Sequence, residues 1–361
     1  MTNSNRLRLF LKRHKLIDWV VDGKTGRYVT SFIAGDGWVC SCPWYVFKQK
    51  MCSHIKQVLG ELMSYDLNDI LKDTTIGQTF DSSLTELNKL FDSPTYNTNE
   101  IVAIYGKPGT GKTLLSAQES IFLTCNSKNV LFIDTEGSLI PMLRQWVPKF
   151  EKRFGKRTGA MIIENKKTIE TLMEYLGYNI VLTYEMKDKK KQKGKLEFKV
   201  LESVKPKIED DINKYDIDFV VLDSVTSPLR SFTYEQQSFP ARATATAFIL
   251  RELVRLQEDH NLGVLVTAHA SFNPQNPYET KADMTGGIMT KHYTKRQIYL
   301  DRRESKDARD YRRFWLVRGE NAPQWTKAGL AKIDNTGYND SKQEDYTVAF
   351  TGTELGHLGL I

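Results

Sequence analysis

The sequence contains little that suits a secreted or a membrane protein. It has only four cysteines in 361 residues, too few for a scaffold held together by disulfides. None of its apolar runs approaches the roughly 18 residues that a membrane-spanning helix needs. The N-terminal segment MTNSNRLRLFLKRHK has no apolar core long enough for a signal peptide. We therefore expect a cytoplasmic protein without a membrane partner.

Acidic residues are fewer than basic ones. Asp and Glu number 44 against 51 Lys and Arg, which gives a net charge of +7 and a pI near 9.0. This balance favours a polyanionic partner such as nucleic acid, although many soluble proteins are mildly basic. The 361 residues have room for two domains, or for one large domain with an appendage, and 40% hydrophobic residues support a core.

A glycine-rich segment follows the apolar run Ile101–Tyr105, which has the length and composition of a buried strand. The segment matches the phosphate-binding loop pattern G-x-x-x-x-G-K-[ST]. Its positions are Gly106, Lys107, Pro108, Gly109, Thr110, Gly111, Lys112 and Thr113. Glycines let successive N–H groups point at one anion, and the helix predicted after the loop adds its N-terminal dipole. The loop is therefore predicted to bind ATP, with Lys112 on the outer phosphates and Thr113 on Mg²⁺.

Two acidic residues stand at the ends of further predicted strands. The run Val130–Ile133 leads to Glu136 through Asp134 and Thr135, and the run Phe219–Leu222 leads directly to Asp223. Glu136 is a candidate general base for the water that attacks the γ-phosphate, and Asp223 is a candidate partner of Mg²⁺. For Glu136, a simple helix cap is the competing interpretation.

The order of strands and helices indicates a parallel sheet. A fourth apolar strand, Leu262–Thr267, ends in Ala268 and His269, and helical segments such as Ala243–Glu258 separate the strands. Because the candidate catalytic groups all fall at strand C-termini, they are expected to meet at one edge of that sheet, where such folds bind ligands.

Three of the four cysteines are close together in the sequence. Cys40, Cys42, Cys52 and His54 form a complete set of ligands for structural Zn²⁺, and thiolates favour Zn²⁺ over Mg²⁺ or Ca²⁺. Two β-rich runs precede the set, and helical periodicity follows His54, so a ββα zinc domain is predicted. The competing interpretation is three free cysteines and a surface histidine.

The order of hairpin, C-x-C, C-x-H and helix resembles the SWIM zinc-binding domain over roughly residues 18–64. Members of that family occur in DNA-processing and chromatin-associated proteins. We accordingly divide the chain into a zinc domain with a basic N-terminal segment (1–64), a linker with a lead-in helix (65–98) and an ATPase domain (99–361).

The motif order over about residues 74–323 resembles the RecA superfamily, in particular the archaeal RadA and eukaryotic recombinase branch. The matching segments are IVAIYGKPGTGKT, FIDTEGS, FVVLDSVTSPLRS, GVLVTAHAS and TGGIMTKHYTKRQIYLDRR. The resemblance implies an α/β, RecA-like P-loop ATPase core with a mainly parallel twisted sheet flanked by helices. It also implies that Glu136 activates water and that Asp223 assists Mg²⁺. His269 stands where the family usually has a glutamine that senses the γ-phosphate.

The same resemblance implies two segments that face single-stranded DNA, at about residues 229–242 and 271–287. Arg230 and Arg242 are the candidate phosphate contacts in the first segment. The second segment ends in Gly286 and Gly287, as it does in the family.

The sequence also departs from the family. The docking motif Phe-x-x-Ala appears as Phe80-Asp81-Ser82-Ser83, without the alanine, which puts a long filament in doubt. A family cap that reaches a neighbour's ATP appears as Asn321-Ala322-Pro323. The pairs Arg302-Arg303 and Arg312-Arg313 are interpreted as surface charge near late strands, with contacts across a subunit interface as the alternative.

These observations lead to one functional hypothesis and two competitors. The first is a DNA-dependent ATPase of the RecA/RadA type that binds single-stranded DNA in recombination or repair, associates with the nucleoid, and forms a homo-oligomer or joins a recombinase. The second is an ATP-regulated switch with little turnover that recruits a protein through its zinc domain. The third is a hexameric helicase, which would need a closed ring.

Overall fold

The computed structural model describes residues 16–23, 26–33, 37–40, 52–57, 77–188, 193–231, 239–271, 282–285, 288–319 and 324–360. The chain divides into two compact units, Met1–Gly77 and Gln78–Ile361. The predicted boundaries after residues 64 and 98 stay predictions. Among the described residues, no helix combines the length and hydropathy that crossing a bilayer demands.

The first unit contains a three-stranded antiparallel sheet in the order β1-β2-β3. Its strands are β1 (Leu16–Gly23), β2 (Gly26–Ile33) and β3 (Gly37–Cys40). A helical segment at residues 53–57 begins directly after Cys52, whose carbonyl accepts a hydrogen bond from the Lys56 N–H at 3.1 Å. The strands and this segment agree with the predicted hairpin and helix.

The second unit is built around a ten-stranded sheet in the order β17-β16-β15-β14-β6-β12-β11-β7-β8, with β13 paired to β12. Its strands are β6 (Ile101–Gly106), β7 (Val130–Asp134), β8 (Met161–Asn165), β11 (Phe219–Asp223), β12 (Gly263–Ser271), β13 (Asp283–Met284), β14 (Thr294–Asp301), β15 (Tyr311–Arg318), β16 (Ala328–Asp334) and β17 (Gly337–Asp340). The six strands from β14 to β8 are parallel to one another, β13 pairs with β12 antiparallel, and β15 to β17 extend the sheet beyond β14 in antiparallel pairs. The mainly parallel sheet is therefore confirmed.

Helices flank this sheet. They are α1 (Thr85–Phe91), α2 (Lys112–Cys125), α3 (Leu139–Phe154), α4 (Ile169–Tyr175), α5 (Lys207–Tyr215), α6 (Phe239–His260), α7 (Ile288–Tyr293), α8 (Tyr346–Ala349) and α9 (Gly352–His357). Short 3₁₀ turns lie at Ser227–Ser231, Lys306–Ala308 and Gln343–Asp345. Two small antiparallel pairs lie outside the main sheet: β4 (Thr79–Phe80) with β5 (Tyr96–Asn97), and β9 (Tyr178–Asp188) with β10 (Lys193–Ser203).

The central strands are apolar because both faces of the sheet are covered. Every residue of β6, β7 and β11 is buried. Along β6, Ile101, Ala103 and Tyr105 enter one hydrophobic core, and the intervening Val102 and Ile104 enter the other. This alternation reflects the two-residue period of a strand, and it explains why the runs read as continuously hydrophobic.

Phe80 packs inside its own chain. It is 4% exposed, and its ring meets the ring of Phe219 edge-on at 5.4 Å between centroids. The neighbouring Ser83 donates its hydroxyl to the buried Glu119 at 2.5 Å. The segment that corresponds to the family docking motif is therefore part of the core of this unit.

The interpretation of the two arginine pairs as surface charge is wrong for Arg312 and Arg313. Both are covered, because Arg312 packs against the Thr110 carbonyl and Arg313 packs against Ala349 and Glu354 in the C-terminal helices. Arg313 forms ion pairs with Asp301 at 2.8 Å and with Glu354 at 3.0 Å. Arg302 is exposed, as interpreted. The Asn321–Pro323 segment lies outside the described residues.

Candidate active site

The phosphate-binding loop connects β6 to α2, as the sequence predicts. Gly106 ends β6, and Gly111 precedes the first turn of α2. Gly109 and Gly111 have φ angles of +75° and +96°, a region that favours glycine. A Cβ on Gly106 would lie 2.1 Å from the Leu300 carbonyl oxygen, so this position also requires glycine. The conformation of the loop therefore requires glycine at these three positions, two for their positive φ angles and one for its close contact with the Leu300 carbonyl.

Lys112 lies at the start of α2 and turns back across the loop. Its ammonium donates hydrogen bonds to the carbonyl oxygens of Gly106 and Lys107, both at 3.0 Å. Thr110 closes the same turn, since its hydroxyl donates to the Lys107 carbonyl at 2.9 Å. The loop therefore combines a helix N-terminus with a partly buried cation, which is the arrangement that binds phosphate.

Asp223 lies at the C-terminal end of β11 and is 1% exposed. Its Oδ1 accepts a hydrogen bond from the Thr267 hydroxyl on the neighbouring strand β12. Burial raises the pKa of Asp223 to about 6, while the hydroxyls of Thr267 and Thr113 act to lower it. Its second oxygen, Oδ2, is buried without a well-formed hydrogen bond among the described residues.

These observations fit a magnesium ion. A buried carboxylate oxygen in need of a partner, with the Thr113 hydroxyl nearby, offers the hard oxygen ligands that Mg²⁺ prefers. Bound there, the ion would also remove the cost of burying the Asp223 charge.

Glu136 does not cap a helix. Asp134 does so instead: its carboxylate accepts from the N–H groups of Glu136, Gly137 and Leu139 at 3.0, 2.7 and 3.1 Å. The Glu136 side chain is 26% exposed, and its Oε1 lies 3.4 Å from the Ser224 hydroxyl and 3.6 Å from His269 Nε2. The competing helix-cap interpretation of Glu136 is therefore wrong.

Thr135 fixes Glu136 beside the end of β11. The Thr135 N–H donates to the Asp223 carbonyl at 2.9 Å, and its hydroxyl donates to the Ser224 carbonyl at 2.8 Å. In return, the Ser224 N–H donates to the Thr135 hydroxyl at 2.7 Å. Strands β7 and β11 are thus held together where their catalytic candidates emerge.

His269 lies on β12, the strand between β6 and β11. It is in register with Gly106, the first residue of the phosphate loop. Its backbone N–H donates to the Thr226 hydroxyl at 3.3 Å, and its Nε2 lies 3.6 Å from Glu136 Oε1. The structure therefore brings together Lys112, Glu136, Asp223 and His269 at one edge of the sheet, as the sequence predicts.

The predicted DNA segments are only partly within the described residues. Arg230 belongs to the 3₁₀ turn Ser227–Ser231, and Arg242 lies in the first turn of α6. Gly286 and Gly287 lie outside the described residues, between β13 and α7. The role of all four residues in binding DNA stays a prediction.

Three of the four predicted zinc ligands are brought together in the first unit. The ligand atoms of Cys40, Cys52 and His54 lie within 4.8 Å of one another. His54 Nδ1 is 3.8 Å from Cys40 Sγ and 4.0 Å from Cys52 Sγ. Ligands about 2.0–2.3 Å from a tetrahedral Zn²⁺ would be roughly 3.5–3.8 Å apart, so the three fit this metal. Cys42 lies outside the described residues.

Several residues of the site carried no sequence signal of their own. Thr135, Ser224 and Thr267 are ordinary hydroxyl residues, and only the packing of β7, β11 and β12 shows what they bind. The only sequence signal for a role in the site is their position: Thr135 and Ser224 directly follow acidic residues at strand ends, and Thr267 ends the fourth predicted strand.

Comparison with known proteins agrees with this geometry. The AAA domain family matches residues 70–275, which is more than half of the chain. The chain belongs to the AAA domain family. The match contains the phosphate loop, Glu136, Asp223 and His269. With the strand order described above, the AAA domain of this protein is a RecA-like P-loop ATPase core.

A second similarity is to the DNA repair and recombination protein RadA of Metallosphaera sedula. The two sequences are 24% identical over 253 residues, which is 68% of each chain.

Proposed function

We propose that this protein is an ATP-dependent, single-stranded DNA-binding ATPase of the RecA/RadA type that acts in homologous recombination or DNA repair. It would serve as a recombinase paralogue or as a mediator. The chemistry is hydrolysis of ATP to ADP and phosphate. The similarity to a protein named for DNA repair and recombination supports the process, and the net charge of +7 supports a polyanionic partner.

Each group at the sheet edge has a part in hydrolysis. The loop N–H groups and Lys112 would bind the phosphates, and Asp223 with Thr113 would hold Mg²⁺, an ion that would neutralise charge on the phosphates. Glu136 accepts the proton of the attacking water. Ser224 and His269 keep the Glu136 carboxylate oriented, since both lie within 3.6 Å of its Oε1.

One observation carries the link to DNA. His269 lies 3.6 Å from Glu136, and its strand β12 ends only two residues later at Ser271, where the second predicted DNA segment begins. A shift of β12 on nucleotide binding would therefore move both the catalytic contact and the start of that segment. This coupling supports an ATPase whose turnover responds to DNA.

The first unit has a separate role in this proposal. Zn²⁺ held by Cys40, Cys42, Cys52 and His54 would stabilise the three-stranded sheet, because a domain this small buries too little apolar surface to fold without such support. The ATPase units would assemble as a ring or filament of identical chains, and contacts other than Phe80 would join them because Phe80 is buried in its own core.

Binding of a fluorescent single-stranded oligonucleotide, measured by anisotropy, tests the DNA assignment. With a non-hydrolysable ATP analogue and Mg²⁺, we expect tighter binding than with ADP, and weaker binding to the matching duplex. The double variant Arg230→Ala/Arg242→Ala should bind single-stranded DNA more weakly than the wild type. The control Lys205→Ala, which removes an exposed lysine paired with Asp210, should bind as the wild type does.

Two outcomes would redirect the assignment. Equal affinity for single-stranded DNA in every nucleotide state, or none at all, would contradict a DNA-coupled ATPase. ATP binding with negligible turnover would favour the switch that recruits a protein through its zinc domain.

A further inference from the structure

The carbonyl oxygen of Thr110, in the phosphate-binding loop, accepts two hydrogen bonds from the opposite end of the chain. Arg312 Nε on β15 donates to it at 2.8 Å, and the Tyr338 hydroxyl on β17 donates to it at 3.1 Å. The donors lie 202 and 228 residues from Thr110 in the sequence. Two long-range donors on one loop carbonyl indicate that the antiparallel extension of the sheet holds the loop in place.

Arg312 is a buried cation with neutral partners. It is 8% exposed, and besides Thr110 it donates to the carbonyl oxygens of Arg309 at 2.7 Å and of Tyr311 at 3.0 Å. Among the residues that the structure describes, no carboxylate forms an ion pair with it within 4.0 Å. Burying a guanidinium without a counter-ion is costly, so an anion bound on the nearby loop would stabilise it.

Tyr338 is fixed from several sides. Gln118 of α2 accepts from the Tyr338 N–H at 2.8 Å and donates to its carbonyl at 3.0 Å. The fully buried phenol approaches Gly111 so closely that a Cβ there would lie 2.5 Å from the hydroxyl oxygen. The hydroxyl is therefore held against the loop and the first turn of α2.

The hydrogen bonds to the Thr110 carbonyl also fix the direction of the Gly111 N–H. Thr110 and Gly111 are joined by a trans peptide, in which the C=O and the following N–H point to opposite sides of the chain. Arg312 and Tyr338 hold the C=O toward β15 and β17. The N–H of Gly111 must then point away from these two donors, and we infer that it points to the predicted phosphate site.

We propose that Arg312 and Tyr338 are positioning residues that preorganise the phosphate-binding loop for a nucleoside triphosphate, Arg312 also supplying positive potential behind it. This inference rests on the proposed ATPase function and adds two residues to it. It assigns to the sheet extension β15–β17 a direct part in nucleotide affinity.

Calorimetric titration with Mg²⁺–ATP and with Mg²⁺–ADP tests this role in the full-length protein. We expect Arg312→Gln, which keeps a donor but loses the charge, to raise the Kd for ATP about tenfold and the Kd for ADP less. Tyr338→Phe removes only the hydroxyl and should raise the Kd for ATP about threefold. The KM for ATP should follow the Kd, while kcat changes less.

Arg313→Gln is the matched control, because Arg313 is the next residue on the same strand and pairs with Asp301 and Glu354 instead. It should lower the unfolding midpoint and leave the Kd for ATP within twofold. A merely structural role of Arg312 would give the same pattern as this control.

The outcomes separate this inference from the proposed function. Folded Arg312→Gln and Tyr338→Phe proteins with wild-type Kd values would overturn the inference alone. If Arg312→Gln does not fold, the Kd for ATP of Arg312→Lys and of Tyr338→Phe is compared with the wild-type value instead, and unchanged values would again overturn the inference. Failure of the wild-type protein to bind ATP would overturn both the inference and the proposed function.

Discussion

The position of the Glu136 side chain is set by its neighbours in the chain and in the sheet. Asp134 takes over the capping of α3, and Thr135 bonds to the end of β11, so the Glu136 carboxylate is left facing Ser224 and His269. A carboxylate in that position can accept a proton from water once ATP is bound.

The substitution Glu136→Gln tests this base. Since the amide cannot accept the proton, turnover should fall about a hundredfold or more, while the Kd for ATP stays within threefold. Phosphate release and calorimetry give the two values. Glu164→Gln is the control, because Glu164 lies near the end of the neighbouring strand β8 and pairs with Lys166. Normal turnover in the Glu136 variant would refute the assignment.

Asp223 couples stability to pH. Its pKa is 3.8 in the unfolded reference and about 6 when buried, so between these values the folded state keeps a proton that the unfolded state has lost. The free energy of unfolding therefore falls as pH rises through this range, and it stays lower above pH 6. Mg²⁺ binding, which needs the carboxylate, should weaken as pH falls below 6.

Asp223→Asn should remove this pH dependence. At pH 7.5 without Mg²⁺, the variant should be more stable than the wild type by about 1 to 3 kcal/mol, and at pH 4.5 the difference should shrink. Its affinity for ATP should no longer respond to Mg²⁺. Urea unfolding at both pH values gives the stabilities, and a variant less stable than wild type at pH 7.5 would contradict the account.

At the scale of secondary structure elements, local sequence patterns are sufficient to predict the phosphate-binding loop and the strands that lead to the candidate catalytic residues. The strand β6, the loop glycines and α2 are contiguous, so propensity and spacing identify them together. The same holds for β7 and β11, whose apolar runs end in acids.

The environment of the side chains in the antiparallel extension β15–β17 could not be predicted from local sequence patterns. Strand β15 carries two adjacent arginines, which read as a solvent-facing pair, yet Arg312 is buried against a loop 202 residues away. The phosphate-binding loop sets the environment of Arg312, and Asp301 on β14 with Glu354 on α9 sets that of Arg313. Contacts of this range follow from topology, and short-range sequence patterns do not encode them.

Phe80→Ala tests the placement of the β4 segment. Because Phe80 is buried against Phe219, we expect a loss of about 3 to 5 kcal/mol in the free energy of unfolding, with no change in oligomeric state while the protein remains folded. Urea unfolding and light scattering measure the two. Leu201→Ala is the control, since Leu201 is 64% exposed. Dissociation of an assembly at unchanged stability would instead show that Phe80 docks on another subunit.

At the scale of the whole molecule, the two units divide the proposed work between metal binding and ATP hydrolysis. The purified protein should contain about one zinc ion per chain, and Cys52→Ser should lose it together with the folding of the small sheet, because the metal contributes folding free energy. Elemental analysis and circular dichroism measure these effects. Cys125→Ser, outside the ligand set, should retain the zinc, and a metal-free wild-type protein would contradict the site.

The most direct test of the central claim is ATP hydrolysis by the purified protein with and without single-stranded DNA, beside Lys112→Ala. The account predicts turnover that rises when DNA is added and disappears in the variant, because Lys112 is proposed to bind the phosphates and β12 leads from the site to the predicted DNA segment. Turnover that DNA does not change, or that persists without Lys112, would contradict it.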